Sequence, residues 1–466
     1  SPPLSVQQRS VTEQRWRSRM PKLIFSGLLL FAAGWLILFF MTEYLLLGFI
    51  ALTLIVFGFS LLVPVMVQGL AVSAMYLFAS FTAHTGQMIV RSLTASMSRT
   101  GLAVAALTVA VSATIGVGIM VESFRYTLGE WLEQSLNGDV YVSLPGRSSV
   151  RASPGLPSAL VSSLRELPGV SDSSSTRMIK ISTEYNQLNL LAIENSRRNS
   201  RGFTLKQGVA NIHQAFEQSE GVLISEPLAI HHKLSPGNSI RINTDSGEVA
   251  FKILGIFYDY TSSQGLIVMD RRIYDQFWQD QQISGLTLYR HPDVSQSELL
   301  AAVKQQVKFY SGNIMVRSNQ EIRNISLKIF DQTFAITDVL RLLTVLVAFI
   351  GILSALMSLQ LERARELAIL RAAGMTPGEV GLMVIAQTVL MGLFAGILAI
   401  PLGLMMSDIL IDVINLHSFG WSIQHILPMK VLLEALILSL GAALLAGCYP
   451  AFRAARISPA QALREE

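Results

Sequence analysis

Long apolar runs separated by short basic stretches set the frame of this chain. Leu23–Met41, Tyr44–Val63, Gly101–Val121, Ile336–Leu359, Val380–Leu404 and Val431–Cys448 are each long enough to cross a bilayer as a helix. Gly69–Phe81 is apolar but short, reaching only about 20 Å against a hydrocarbon core of roughly 30 Å. With His84, Gln87, Arg91 and Arg99 after it, residues 64–100 read as an amphipathic segment on the cytoplasmic face; a re-entrant or true span is the alternative. The third run continues as a helical stripe, Phe124, Leu128, Trp131, Leu132 and Leu136, and stops near Gly138.

Between the third and fourth runs the period changes. Short, often alternating strands are predicted at Asp139–Ser143, Arg177–Thr183, Leu188–Ile193, Val222–Ser225, Ser239–Asn243, Val249–Phe257, Leu266–Met269 and Leu286–Tyr289. Helices are predicted at Pro157–Leu167, Glu226–His232, Arg271–Gln279 and Ser295–Tyr310, giving a mixed α+β domain. Ser318-Asn-Gln-Glu321 then opens a very long helix as a capping box. The expected order is a basic segment at 1–22, two helices within 23–63, the segment 64–100 and a third span at 101–123. An extracytoplasmic α+β domain with helical stalks follows at 124–335, then a span at 336–360, an elbow at 361–379 and a span at 380–404. An external loop at 405–430, a last span at 431–448 and a tail at 449–466 complete it. Six crossings place the basic stretches 1–22, 82–100, 361–379 and 449–466 all on the cytoplasmic side.

The elbow is the charged exception between two apolar runs. Glu362–Arg365 and Arg363–Glu366 sit at i,i+3 and can brace one solvated helix face. Gly374 fits the position that ends a helix in the left-handed region, and Thr376-Pro-Gly-Glu379 starts the next helix as a capping box with Pro377 first. Physics alone leaves two readings: a helical turn that can be pushed from the water side, or an ordinary loop braced by ion pairs. Farther along, Gly392 and Gly396 form a GxxxG face for close helix packing, and Gln387 reads as an interhelical hydrogen bond.

Composition narrows the class. The chain is 51% hydrophobic and 15% charged, with mean hydropathy +0.46, beyond an ordinary soluble protein. Its net charge of +4 is small and its basic residues flank apolar runs, which argues against nucleic acid. A lone cysteine, Cys448, excludes an internal disulfide. No GxxxxGK[ST], HExxH, GxSxG or CxxC occurs, and His231-His232 point to different sides of a helix, so no catalytic set, metal site or bound cofactor is expected.

Two motifs carry a resemblance: Arg365-Glu-Leu-Ala-Ile-Leu-Arg-Ala-Ala-Gly-Met375 at the elbow and Tyr449-Pro-Ala-Phe-Arg-Ala-Ala-Arg-Ile-Ser-Pro459-Ala-Gln-Ala-Leu463 at the end. They resemble the signature of FtsX/MacB-type ABC transporter permeases, a family that includes the lipoprotein-releasing LolC and LolE proteins. The stretch Gly221–Arg241 is similar to the family's periplasmic core domain. The resemblance implies a polytopic α-helical membrane protein with an inserted α+β domain, the type VII ABC permease fold. It also implies a partner ATPase that binds ATP and Mg and docks on the elbow, with Arg365, Glu366, Arg371, Gly374, Met375, Thr376 and Pro377 at or near the contact. Further partners it implies are membrane lipids, a second permease unit and a periplasmic protein. The expected function is export, extraction or handling of lipid, lipoprotein or peptide at the outer face of a bacterial inner membrane. The alternative is an FtsX-like regulator of an extracytoplasmic enzyme or sensor. The two additional leading helices, with a start on Ser1-Pro-Pro, resemble the second half of a two-unit permease.

Overall fold

Backbone groups inside a bilayer must bond within their own segment, so apolar runs of this length become helices. A computed structural model describes residues 4–40, 44–78, 97–144, 155–194, 202–310, 313–372 and 374–456. It divides into two units: 1–123, 334–414 and 425–466 form the first, 124–333 and 415–424 the second.

The first unit is helical. Its elements are α1 (Leu4–Phe40), α2 (Leu45–Phe78), the start of α3 (Met97–Ser135), most of α9 (Asn319–Ala372), α10 (Pro377–Asp408), a π-helical continuation (Ile409–Asn415) and α12 (Met429–Ala455). Among the described residues, six helices are long and apolar enough to cross a membrane. Their core joins Ile55 and Val67 of α2, Val111 and Ile115 of α3, Ala395 and Leu402 of α10, and Ala435 and Ala446 of α12. The extra leading hairpin packs by close backbone approach: a Cβ on Gly58 would stand 2.8 Å from the Gly27 carbonyl oxygen of α1. By contrast α9 meets this core along one seam, Val345 and Ile352, while Ile336, Leu342 and Val347 are exposed.

Two expected boundaries move. The second span does not end at Pro64, and 64–78 is the continuation of α2, not a separate surface segment. Pro64 is buried against α3, where a Cβ on Gly101 would sit 3.1 Å from its ring, and Val67 and Ala71 are fully buried one and two turns on. A proline inside a span is tolerated when neighbouring helices cover it. Residues 79–96, including His84, Gln87 and Arg91, lie outside the described residues. The fifth span likewise runs past Leu404 into the expected loop, because Ile409, Ile411 and Ile414 carry on its buried face. Asp408 and Asp412 project outward there and both face His425, at 3.6 and 2.8 Å.

The second unit holds a ten-stranded sheet. Its strands are β1 (Val140–Ser143), β2 (Val170–Thr183), β3 (Asn186–Ile193), β4 (Leu205–Gly208), β5 (Val222–Ser225), β6 (Ser239–Thr244), β7 (Gly247–Phe257), β8 (Leu266–Asp270), β9 (Gly285–Arg290) and β10 (Met315–Ser318). The order is β10-β1-β9-β2-β3-β8-β5-β7-β4, with β6 bridging β2 and β7. The helices α4 (Ser158–Arg165) and α8 (Gln296–Val307) cover β1 and β9. α6 (Glu226–His232) and α7 (Arg271–Phe277) cover the β3, β5 and β8 region, and α5 (Ile212–Glu217) lies by β7. The ends of α3 and α9 in this unit are braced by Arg125–Asp331 at 2.9 Å, Arg323–Glu133 at 3.1 Å and a Phe124–Phe330 edge contact.

Arg177 on β2 is 1% exposed and binds Asp280 through Nε and Nη2, each at 2.8 Å, while the Tyr274 hydroxyl donates to the same carboxylate. Burial pushes the Asp280 carboxyl up, but the Gln282 N–H, Tyr274 and Arg177 together outweigh it and hold the group below its usual value. A depressed carboxylate adds stability that is complete above its unfolded value, about 3.9, and is lost as pH falls through the folded one. Thermal melts of wild type and Asp280→Asn should therefore differ most above about pH 4 and converge below it. A gap that stays constant down to pH 2 contradicts this assignment.

Candidate functional site

The elbow is built from local chemistry. α9 ends at Ala372, and Gly374 takes φ +108°, where its N–H donates to the Arg371 carbonyl at 3.1 Å. Thr376 caps α10: its Oγ1 accepts from Glu379 N, and its own N–H donates to Glu379 Oε2 at 2.7 Å. Pro377 supplies the first helical residue, where a missing N–H costs nothing. Gly374, Thr376, Pro377, Gly378 and Glu379 are all exposed.

Beneath the turn is a seat. Val380 is fully buried and packs with Met383, Val384, Ala451 and Ala454, and half-buried Met375 closes over them. Arg371 Nη1 donates to the Ala455 carbonyl at 3.3 Å. A cation at the last carbonyls of α12 complements the negative end of that helix. The guanidinium of Arg456 lies 4.0 Å over the Phe452 ring, on the same helix end.

The structure thus brings Arg371 and Met375 together with the end of α12, and holds Gly374, Thr376 and Pro377 on the exposed side. Arg365 and Glu366 belong to α9, but their side chains lie outside the described residues, as do those of Glu362 and Arg363 and the whole of 457–466. Gly392, Gly396 and Gln387 lie farther along α10 and do a different job. A Cβ on Gly392 would meet Ala443 Cβ at 2.5 Å, and Ser439 Oγ donates to the Gly392 carbonyl at 2.7 Å. Gly396 faces Leu436 and Ser439, and Gln387 is buried.

Sequence reasoning missed a second assembly. Glu226, read as a helix start, is 1% exposed and accepts from Lys206 Nζ and from both N and Oγ of Ser422. Ser422 belongs to 415–424, the part of the α10–α12 connection that forms one unit with the sheet. α11 (Leu416–Phe419) leads into it, and Gly420, at φ +72°, lies against Pro227. Tyr260 donates its hydroxyl to the Ser422 carbonyl at 2.7 Å, and the Gln424 N–H donates to Thr127 Oγ1. Burial first, then the charge of Glu226, pushes the Tyr260 hydroxyl up, so it stays a donor at neutral pH. Trp421 stacks on Phe419 at 5.0 Å and faces Phe124 at 5.4 Å.

Residues 339–459 match the family described as FtsX-like permease C-terminal, and residues 100–317 match the MacB-like periplasmic core domain. The ABC transporter permease protein Rv0987 of Mycobacterium tuberculosis is 36% identical over all of this chain, which spans 55% of that relative's length. The lipoprotein-releasing system transmembrane protein LolC of Haemophilus influenzae is 31% identical over 27% of this chain and 32% of its own. Among solved structures, the periplasmic region of MacB from Actinobacillus actinomycetemcomitans aligns at TM-score 0.32 and 13% identity, over 42% of this chain and 94% of that one.

Proposed function

Because the chain belongs to the FtsX/MacB-type ABC transporter permeases, a multi-pass membrane protein with a MacB-like core domain, we propose that its elbow is the docking point for a separate ATPase subunit. The observation that carries this reading is the seat itself. A capped, glycine-ended turn exposes Gly374 and Thr376–Glu379, while Arg371 and Met375 fasten it to the end of α12. A push on such a turn passes to α9, α10 and α12 together. Arg365 and Glu366 would extend the contact along the last turns of α9.

In this reading the chain is non-catalytic, and ATP and Mg are bound by the partner. Hydrolysis there drives movement of the core domain, which handles lipid, lipoprotein or peptide at the outer face of a bacterial inner membrane, with both chain ends cytoplasmic. The partial likeness to a lipoprotein-releasing protein supports that substrate class. A second permease unit would cover the apolar residues of α9 that are exposed here, such as Leu342 and Val347.

Arg371→Glu places a carboxylate against the Ala455 carbonyl and should lower co-purification with an ATP-binding subunit at least about tenfold, a difference of about 1.4 kcal/mol. Undiminished co-purification would refute docking at the elbow. Comparing outer-leaflet lipids, lipoproteins and secreted peptides in cells with and without the protein tests the transport step. A changed cell-wall hydrolase or sensor with no exported molecule would favour the regulatory alternative.

A further inference from the structure

The exposed face of α12 changes chemistry along its length. Leu433, Ile437, Leu445, Tyr449, Phe452 and Arg456 fall at helical spacing and form one exposed stripe. The opposite face, with Ala446, Ala451 and Ala454, is buried in the helical unit. In a multi-pass membrane protein the exposed stripe of such a helix meets lipid. It runs from aliphatic through aromatic to cationic, the order in which a bilayer passes from hydrocarbon through interface to headgroups.

The cationic end is organised. The Arg456 guanidinium rests 4.0 Å over the Phe452 ring, which holds it without using any of its N–H donors. Arg453, next to Phe452, is exposed as well. Among the described residues neither guanidinium is hydrogen-bonded or in an ion pair. Within α12 the single acid is Glu434, near the other end. A cation at a helix C-terminus can serve the last carbonyls, but Arg371 takes that place at Ala455. Two guanidinium groups with open donors, at the end of an apolar and aromatic stripe, select phosphate oxygens on a ligand of net negative charge.

We propose that this end of α12 binds one anionic phospholipid, its phosphate on Arg453 and Arg456 and its acyl chains along Tyr449 and Leu445. The inference rests on α12 crossing the bilayer, not on which side its end faces, and is separate from ATPase docking at the elbow. A lipid held there braces the helix end on which Arg371 and Met375 are seated.

The chain supplies its own reporter. Cys448 is its single cysteine and is exposed. It precedes Arg456 by eight residues, about 12 Å along the helix, so a bimane on it lies beside the acyl chains of a lipid held by Arg456. The labelled full chain is placed in phosphatidylcholine nanodiscs that carry a minor fraction of brominated phosphatidylglycerol or, in parallel, of brominated phosphatidylcholine. Quenching should report an apparent affinity at least about fivefold higher for the phosphatidylglycerol, the factor one basic residue at a membrane surface supplies. Raising the salt should shrink that preference. Arg453→Gln combined with Arg456→Gln should bring the two lipids to parity. Phe452→Leu, which stays apolar but removes the ring under Arg456, should give an intermediate preference. Equal quenching by the two lipids in wild type overturns the proposal, as does a preference that survives the double variant with wild-type melting. If the double variant does not fold, Arg456→Gln alone decides, and an unchanged preference there overturns the proposal. A wild type without lipid preference, whose Arg456→Gln variant loses the ATPase subunit, would assign this face to a protein partner instead.

Discussion

Gly374→Pro is expected to abolish co-purification with the ATPase subunit and ATP-dependent activity, while the chain still folds and inserts. Gly374 sits at φ +108° and its N–H donates to the Arg371 carbonyl. Proline fixes φ near −65° and has no N–H, so the observed turn becomes inaccessible at a cost of about 3 kcal/mol or more. Among the described residues nothing lies within 4 Å of a Cβ at Gly374. The strain can therefore be relieved by rerouting the turn, without disturbing the seat of Val380, Met383 and Ala451. Relief of that kind moves Thr376–Glu379 relative to α9, which is what a docked subunit would read. Gly374→Ala, with left-handed strain of about 1–2 kcal/mol, should give an intermediate loss. The checks are pull-down of the ATP-binding subunit and ATPase stimulation in nanodiscs, beside a thermal melt. A proline variant that keeps full stimulation would show that the turn's geometry does not matter to coupling.

That elbow was legible because each part of it is decided within a few residues. A glycine after a helical run, Thr-Pro-Gly-Glu at capping-box spacing and an apolar residue just beyond them specify their own geometry. The same holds for Val222–Ser225, Glu226–His232 and Val249–Phe257, whose pattern and punctuation agree. Failures came where the signal is not local. β4 reads Leu-Lys-Gln-Gly and β10 reads Met-Val-Arg-Ser, with no alternation of burial, and both exist only because a neighbouring strand pairs with them. The first half of β2 is almost all Ser and Asp, yet it is fixed by pairing with β9. Pro64 looked like an end because its cover, Gly101, comes from another helix. Arg371 could be placed at the elbow from its position, but its bond to Ala455 spans 84 residues. Ser422 meets Glu226 across 196 residues, and nothing near either one in sequence announces the other.

Glu226→Ala should release segment 415–424 from the sheet unit. The carboxylate is the common acceptor for Lys206 Nζ, Ser422 Oγ and Ser422 N–H, all at its own 1% exposure. Truncation takes the charge partner from Lys206, which is about one-third exposed and keeps its 3.0 Å bond to Ser422 Oγ, and removes the acceptor of two Ser422 donors. Removing one partner of a fully buried pair costs about 3–5 kcal/mol, and the partial exposure of Lys206 brings the expectation to about 2–4 kcal/mol. For a unit of this size that is a fall of roughly 5–15 °C in melting temperature. Glu226→Gln keeps one acceptor oxygen for Ser422 but turns the other into an NH2 donor and loses the charge attraction to Lys206, so it should cost less than the alanine variant without matching wild type. The segment itself reports the difference. In wild type it is held by Glu226, by the Tyr260 hydroxyl and by Gly420 against Pro227, so its backbone should resist protease. In Glu226→Ala, cleavage within 415–424 should rise at least about tenfold, the factor that 1.4 kcal/mol of local opening supplies. The segment is continuous with α10 and α12, the two helices that carry the elbow's seat, so the same variant should lower ATP-dependent activity while leaving pull-down of the ATPase subunit intact. Loss of both together would mean that the damage reaches the elbow, and protease resistance equal to wild type would mean that Glu226 does not hold the segment.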